Sequence, residues 1–148
     1  MKKILALVLT FALVMTLIGC GQEPVAVTHD WGVSLEAQNV SATGLTIVCQ
    51  QSGGENVFEL STGSYYVIQK LAKNGWNDVK YVKSKRNLSW TLEAWLIPLE
   101  SSTAWNVNWE WLYGQLPPGQ YRIGKEITNF RGTGDFDKEI VYAEFIIP

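Results

Sequence analysis

Apolar and polar residues alternate most regularly between positions 103 and 111. One side of this segment carries Trp105, Val107, Trp109 and Trp111, and the other carries Asn106, Asn108 and Glu110. A period of two predicts a strand with one buried face and one wet face. The Leu116-Pro117-Pro118-Gly119 reversal comes next, and a second strand is predicted to open at Tyr121. We therefore expect the Tyr121 hydroxyl to bond back to the turn backbone, as in the tyrosine corner of β-sandwiches.

Short runs of the same character recur from Val33 onward, with turn residues between them. The predicted strands are 33–37, 44–51, 64–71, 76–82, 88–97, 103–111, 119–127 and 139–147. Asn74-Gly75 is a strong signal for a two-residue hairpin turn. Without an amphipathic helix of convincing length or an internal repeat, the chain is predicted to be all-β, an antiparallel sandwich of about seven to nine strands. A closed eight-stranded barrel is the alternative, but the proline-rich reversal favours a Greek-key crossing between two sheets.

The first nineteen residues are predicted to be a lipoprotein signal peptide. Lys2 and Lys3 precede an apolar run of fifteen residues at 4–18, which is shorter than the ~20 residues that a membrane-spanning helix needs. The run ends in Leu17-Ile18-Gly19-Cys20, which resembles the lipobox of bacterial lipoproteins. This resemblance implies that Cys20 is acylated, as with palmitate, and becomes the first residue of the mature chain. The alternatives are an ordinary secretory signal with a chance cysteine and a retained transmembrane anchor.

Removal of residues 1–19 would leave 129 residues, enough for one domain. Ten basic and fourteen acidic residues would remain, a formal charge of −4, with no basic run of the kind that binds nucleic acid. Residues 20–32 are predicted to be the lipidated cysteine and a tether, and residues 33–148 the folded domain. The expected location is the extracytoplasmic face of the cell membrane, with the lipid on Cys20 as the anchor.

Cys49 is the one cysteine besides Cys20, so the mature domain has no partner for an intrachain disulfide. The pattern Leu45-x-Ile47-x-Cys49 places it on the apolar side of a strand, where it is interpreted as a small buried hydrophobic residue. A reactive or intermolecular thiol is the alternative.

Three segments are informative when taken together: Tyr66-x-Ile68-x-Lys70-Leu71 running through Asn74-Gly75-Trp76 to Val79, Trp109-x-x-Leu112-Tyr113-Gly114-x-Leu116, and Pro118-Gly119-x-Tyr121-Arg122-Ile123-x-Lys125. Together they resemble the bacterial immunoglobulin-like domains of Gram-positive surface lipoproteins. The resemblance covers residues 33–148 and implies an Ig-like sandwich without catalytic residues. Antibody-type domains would pair Cys49 with a cysteine two residues after Tyr121, but Ile123 stands there. Core packing alone is then expected to hold the sheets together.

Candidate catalytic and metal-binding groups are few. The one histidine, His29, lies in the predicted tether, which argues against Ser-His-Asp and Cys-His catalysis and against His/Cys metal sites. Paired carboxylates for glycoside hydrolysis remain conceivable among Glu93, Glu110, Glu126 and Glu144, but such outward positions are ordinarily solvated. The 134–139 loop has oxygen ligands at alternate positions but lacks the features of an EF-hand, so calcium binding stays open. The protein is not predicted to be an enzyme, and no cofactor is expected.

The aromatic residues are the remaining candidates for function. If Trp90, Leu92, Ala94 and Leu96 face the core, Trp95 faces outward; Trp76 and Phe136 fall at hairpin tips or edges, and Trp31 falls in the tether. Trp95, Trp76 and Phe136 are therefore the candidate ligand-contact residues. The leading hypothesis is a non-catalytic interaction or structural domain with a protein partner in the envelope. The alternative is a carbohydrate-binding module whose exposed rings stack on sugars. If a loop or the tether covers these rings, they have no role in ligand binding.

Overall fold

The computed structural model describes residues 30–82 and 89–148. The predicted signal peptide, Cys20 and His29 lie outside these ranges. The described elements are β1 (Val33–Gln38), β2 (Gly44–Gln51), β3 (Glu59–Ala72), β4 (Gly75–Asp78), β5 (Trp95–Ile97), β6 (Ser101–Asn108), α1 (Glu110–Tyr113), β7 (Gly119–Gly132) and β8 (Asp135–Ile147). No helix among the described residues is long and apolar enough to cross a membrane.

The strands form two antiparallel sheets, which confirms the predicted all-β sandwich. Sheet A has the order β1-β2-β6, and sheet B has the order β4-β3-β7-β8, with β5 paired to the first half of β3. The chain crosses between the sheets after β2, after β5 and after β6, so sequence neighbours lie in different sheets in the Greek-key manner. β3 carries β5 on one half of its edge and β4 on the other, with a register shift between Thr62 and Tyr66.

Alternation along the strands places one set of side chains between the sheets. Ile47 and Cys49 from sheet A and Tyr121, Ile123 and Ile127 from sheet B have no exposed surface. Cys49 is free and buried, as predicted. Packing across this core therefore joins the sheets where antibody-type domains have a disulfide, and each buried aromatic ring withdraws roughly 150–250 Å² from water.

The segment between β6 and β7 corrects one prediction and confirms another. β6 ends at Asn108, and a single helical turn follows, so Trp109 is fully buried but Trp111 is 43 % exposed instead of facing the core. The Trp109 indole N–H donates to the carbonyl of Ala42 at 2.9 Å. The Tyr121 hydroxyl donates to the carbonyl of Pro117 at 2.7 Å, which is the predicted tyrosine corner.

Two boundaries also differ from the predictions. Trp31 is buried in the core instead of lying in the tether, because its carbonyl accepts a hydrogen bond from the side chain of Gln51 and Gly32 is bonded to Ser52. The hairpin between β3 and β4 turns on Lys73 and Asn74, with Ala72 opposite Gly75, one position earlier than predicted.

The sandwich has two distinct ends. The backbone N–H of Glu55 donates to Asp30 at the end where the chain enters, which also holds the β2–β3 connection, the β5–β6 turn and the β7–β8 hairpin. The β3–β4 hairpin and the 114–118 connection lie at the opposite end, called here the distal end.

Candidate functional surface

The outward face of sheet A is polar, as expected for a sheet with one wetted side. Its cross-strand neighbours include Thr46 and Asn106, whose side chains are bonded at 2.9 Å. The outward positions are Ser34, Glu36, Gln38, Thr46, Val48, Gln50, Ser102, Ala104 and Asn106. This face carries neither an aromatic nor a basic side chain.

The outward face of sheet B has a different character. Its register places a set of large apolar and aromatic residues toward solvent: Val67, Leu71, Trp76, Phe130, Phe136, Ile140, Tyr142 and Ile146. Ile146 is 67 % exposed, and no described element covers it. Large exposed apolar patches are uncommon on monomeric domains and mark interaction sites, so this face, the sheet B face, is the candidate functional surface.

A cationic side chain organises the centre of the sheet B face. The guanidinium carbon of Arg122 lies 4.7 Å from the centroid of the Trp76 ring and 4.0 Å from that of Tyr142. Its Nε donates to Gln69 at 2.7 Å, and Gln69 in turn donates to Asp78 at 2.8 Å. These contacts hold Trp76 and Tyr142 in place through cation–π attraction and a chain of hydrogen bonds; the five residues are called the Arg122 clamp.

Gly124 allows the apolar side chains beside the clamp to close over the sheet. A β-carbon at this position would come within 2.7 Å of Ile140 and Tyr142 and within 3.0 Å of Val67. Side chains from β3 and β8 thus meet above the glycine of β7, so Val67, Ile140 and Tyr142 form one packed apolar cluster.

The candidate Phe136 lies at the other end of the same face, on the β7–β8 hairpin. It is 46 % exposed and stands opposite Phe130. Arg131 reaches Asp135 at 2.7 Å and Asp137 at 2.6 Å, so the acidic side chains of the suggested calcium loop are paired with a cation. Within residues 30–82 and 89–148, no group of three or more His, Cys, Asp or Glu residues could hold a metal ion.

The third candidate, Trp95, does not share this face. β5 covers only Trp95–Ile97, in which Ile97 is buried and Leu96 is 62 % exposed, so the predicted register is wrong and Trp95 lies on the inward side. Its ring stacks on that of Trp105 with centroids 6.2 Å apart. Trp105, expected in the core, is half-buried at this side of the sandwich.

The Trp95 ring covers a buried lysine, whose burial was not predicted from the sequence. The ammonium of Lys125 lies 5.1 Å from the Trp95 centroid and donates to the carbonyls of Gly63 and Tyr65, which belong to the irregular part of β3. Desolvation lowers the pKa of Lys125 to about 8. No carboxylate is within ion-pair distance of it among the described residues, and we interpret Lys125 as holding the β3 irregularity.

The buried thiol is chemically quiet. Desolvation raises the pKa of Cys49 to about 11, so little thiolate forms near neutral pH, and the thiolate is the reactive form. Together with its burial, this supports the interpretation of Cys49 as a small hydrophobic residue.

The sequence prediction missed most of the sheet B face. Trp76 and Phe136 were named, but Arg122 and Tyr142 were not, because the alternation of the last strand was used to find its inward residues Val141, Ala143 and Phe145. The same alternation carries the missing signal, since it places Ile140, Tyr142 and Ile146 together on the opposite side.

Comparison with known proteins agrees with the fold. A family model described as a bacterial Ig-like domain matches residues 28–145. No curated protein and no solved structure gives a significant match.

Proposed function

The chain belongs to the bacterial Ig-like domain family, and from that premise we propose that it is a non-catalytic interaction module, held at the outer face of a cell membrane by a lipid on Cys20, that binds a protein partner through the sheet B face. Membership of this family suggests a non-catalytic interaction or structural domain. The anchor, the surface and the partner are our proposals.

The contrast between the two outward faces is the observation that carries the proposal. Both faces belong to one sandwich, yet the outward positions of sheet A carry mostly Ser, Thr, Asn and Gln, with only Val48 and Ala104 apolar. Sheet B carries large apolar and aromatic residues among polar ones such as Gln69, Glu126 and Glu144. The buried core between the sheets is formed by the inward residues of the same strands, so these apolar residues are additional to it. A partner that covers the sheet B face accounts for them, since aromatic residues and arginine are enriched at interface centres.

A glycan-binding module remains the alternative, because Trp76 and Tyr142 are the residue types that stack on sugars. The Arg122 guanidinium, however, lies against both rings. Only their opposite faces are left for a ligand, and this favours a protein partner over a sugar platform.

Site-specific photocrosslinking in the native cell tests the surface. A benzophenone side chain at Ile146 samples the sheet B face, and the same group at Gln50 is the matched control on sheet A. We expect the group at position 146 to form an adduct between the domain and a partner, and we expect protease to digest that attached partner. An adduct removed by glycan-degrading enzymes would support the alternative, and equal adducts from both positions, or none, would refute the assignment of the face.

A separate experiment tests the anchor. The motive is the short apolar run that ends in Leu17-Ile18-Gly19-Cys20. Radiolabelled palmitate should enter the wild type and not Cys20→Ser, and the variant should leave the membrane fraction. Equal labelling of the two proteins would show that Cys20 is not the anchor.

A further inference from the structure

A groove at the distal end lies apart from the sheet B face. It has a volume of about 420 Å³, between the β3–β4 hairpin and the connection that leads into β7, within the range of about 300–1,000 Å³ typical of small-ligand sites. Its walls include Ala72, Val79, Leu116, Pro117 and the ring of Tyr121. The groove is therefore largely apolar, and its polar groups decide which ligand it can accept.

Lys70 supplies a positive charge that no described residue neutralises. Its ammonium lies 5.2 Å from the centroid of the Tyr121 ring, and among residues 30–82 and 89–148 it has neither an ion-pair nor a hydrogen-bond partner. Asp78, the carboxylate in the lining, is instead bonded to Gln69. The Tyr121 hydroxyl is also engaged, with Pro117, so the ring offers Lys70 only its face.

The backbone makes room for this lysine. A β-carbon on Gly119 would come within 2.9 Å of the Lys70 Cε and 3.3 Å of its Nζ. The missing side chain leaves space for the apolar stem of Lys70 to lie across the turn, with its ammonium beside the groove.

We propose that this groove binds a carboxylate carried by an apolar residue, as at the C-terminal end of a peptide. The carboxylate pairs with Lys70, and the apolar part rests on Leu116, Pro117 and Tyr121. A charge-assisted hydrogen bond to one carboxylate would satisfy the Lys70 ammonium, and the apolar walls would accommodate the side chain that carries it. The inference does not depend on the lipid anchor or on the sheet B face.

Binding of small probes, followed by NMR shifts of backbone amides, tests the proposal. N-acetyl-leucine and its carboxamide share the apolar group and differ in charge. A tetrapeptide ending in Leu, with a free or an amidated C-terminus, shows whether the groove prefers the end of a peptide to a small carboxylic acid. We expect the probes with a free carboxylate to shift the backbone amide signals around Lys70 and Gly119. The carboxamide probes should bind at least about tenfold more weakly. Binding of both free acids equally would mean that the site accepts small acids in general, and binding of the peptide alone would mean that it reads chain ends.

Two variants connect the binding to the lysine. Lys70→Met keeps the stem and removes the charge, so it should lose at least about tenfold in affinity, whereas Lys70→Arg should retain binding. Lys138→Met is the matched control, because it removes one positive charge at the other end of the domain, where Lys138 pairs with Glu126. The proposal would be overturned if the carboxylate and carboxamide probes bound equally, if the shifts lay elsewhere on the domain, or if no probe bound. Unchanged affinity in a folded Lys70→Met variant would overturn it as well.

Discussion

The pH dependence of stability should reveal the environment of Lys125. Its side chain is 1 % exposed, and its ammonium is held by two backbone carbonyls beneath the Trp95 ring without a carboxylate partner among the described residues. Burial lowers its pKa from 10.5 to about 8, which makes protonation less favourable in the folded state by about 3 kcal/mol.

The direction of the effect follows from proton linkage. Above pH 8 the folded chain has released this proton, whereas the unfolded chain keeps it up to about pH 10.5, so unfolding takes up a proton and the unfolding free energy rises with pH. Between pH 7 and pH 9 the rise should be about 1 kcal/mol. Cys49 acts in the opposite sense from about pH 8, since burial raises its pKa from 9.0 to about 11 and the unfolded thiol ionises first. Up to pH 9 this removes about 0.4 kcal/mol, and the net rise of about 1 kcal/mol includes this loss.

Urea unfolding followed by tryptophan fluorescence at pH 7, 8 and 9 measures this slope. The wild type should gain stability over that range, while Lys125→Met should not, whatever its absolute stability. Lys138→Met, which removes an exposed lysine, should keep the wild-type slope. A wild-type stability that is flat or falls from pH 7 to 9, or a Lys125→Met variant with the same rise, would refute the reasoning.

Four substitutions test the packing. Tyr121→Phe should lower the unfolding free energy by about 1–3 kcal/mol in urea titrations, because the Pro117 carbonyl loses its donor; an unchanged midpoint would contradict a stabilising corner. Trp109→Ala should lower it by about 3–5 kcal/mol, and Trp111→Ala by no more than about 1 kcal/mol, so similar losses would contradict the assigned end of β6. Gly124→Ala should cost about 1–3 kcal/mol through crowding against Ile140 and Tyr142; if calorimetry shows no change in melting temperature, the closure over the glycine is looser than described.

Residues with strong local constraints were predictable from the sequence. Tyr121 follows a proline-rich reversal, and this reversal leaves its hydroxyl close to the Pro117 carbonyl whatever the rest of the sheet does. The inward residues of β7 and β8 were also predictable, since both strands are long and each has a buried side that period-two alternation identifies.

Period-two alternation gave wrong predictions in short or interrupted segments. Trp90, Leu92, Ala94 and Leu96 alternate as a core strand would, but only Trp95–Ile97 pairs with β3, and Leu96 points outward. Alternation can define a face only where a partner strand fixes the pleat, and partner strands are a property of the tertiary fold. Trp111 was misplaced for a related reason, because a helical turn from Glu110 changes the period after β6 has ended.

The sheet B face required knowledge of strand order. Trp76, Arg122 and Tyr142 come from β4, β7 and β8 and are far apart in the sequence. Their contact depends on β3 lying between β4 and β7, and no local pattern encodes that order.

The family alone does not identify a binding partner, and the difference between the two outward faces explains why. Inward residues are constrained by the need to fill one core, so they define an Ig-like domain wherever it occurs. Outward residues are free of that need, and on sheet A most of them are polar. Apolar outward residues increase the tendency of a sheet to self-associate, and Arg122 with Gln69 and Asp78 organises them into one fixed surface. Such preorganisation would reduce the entropy lost on binding the proposed partner, so under this proposal the Arg122 clamp carries the specificity of the domain.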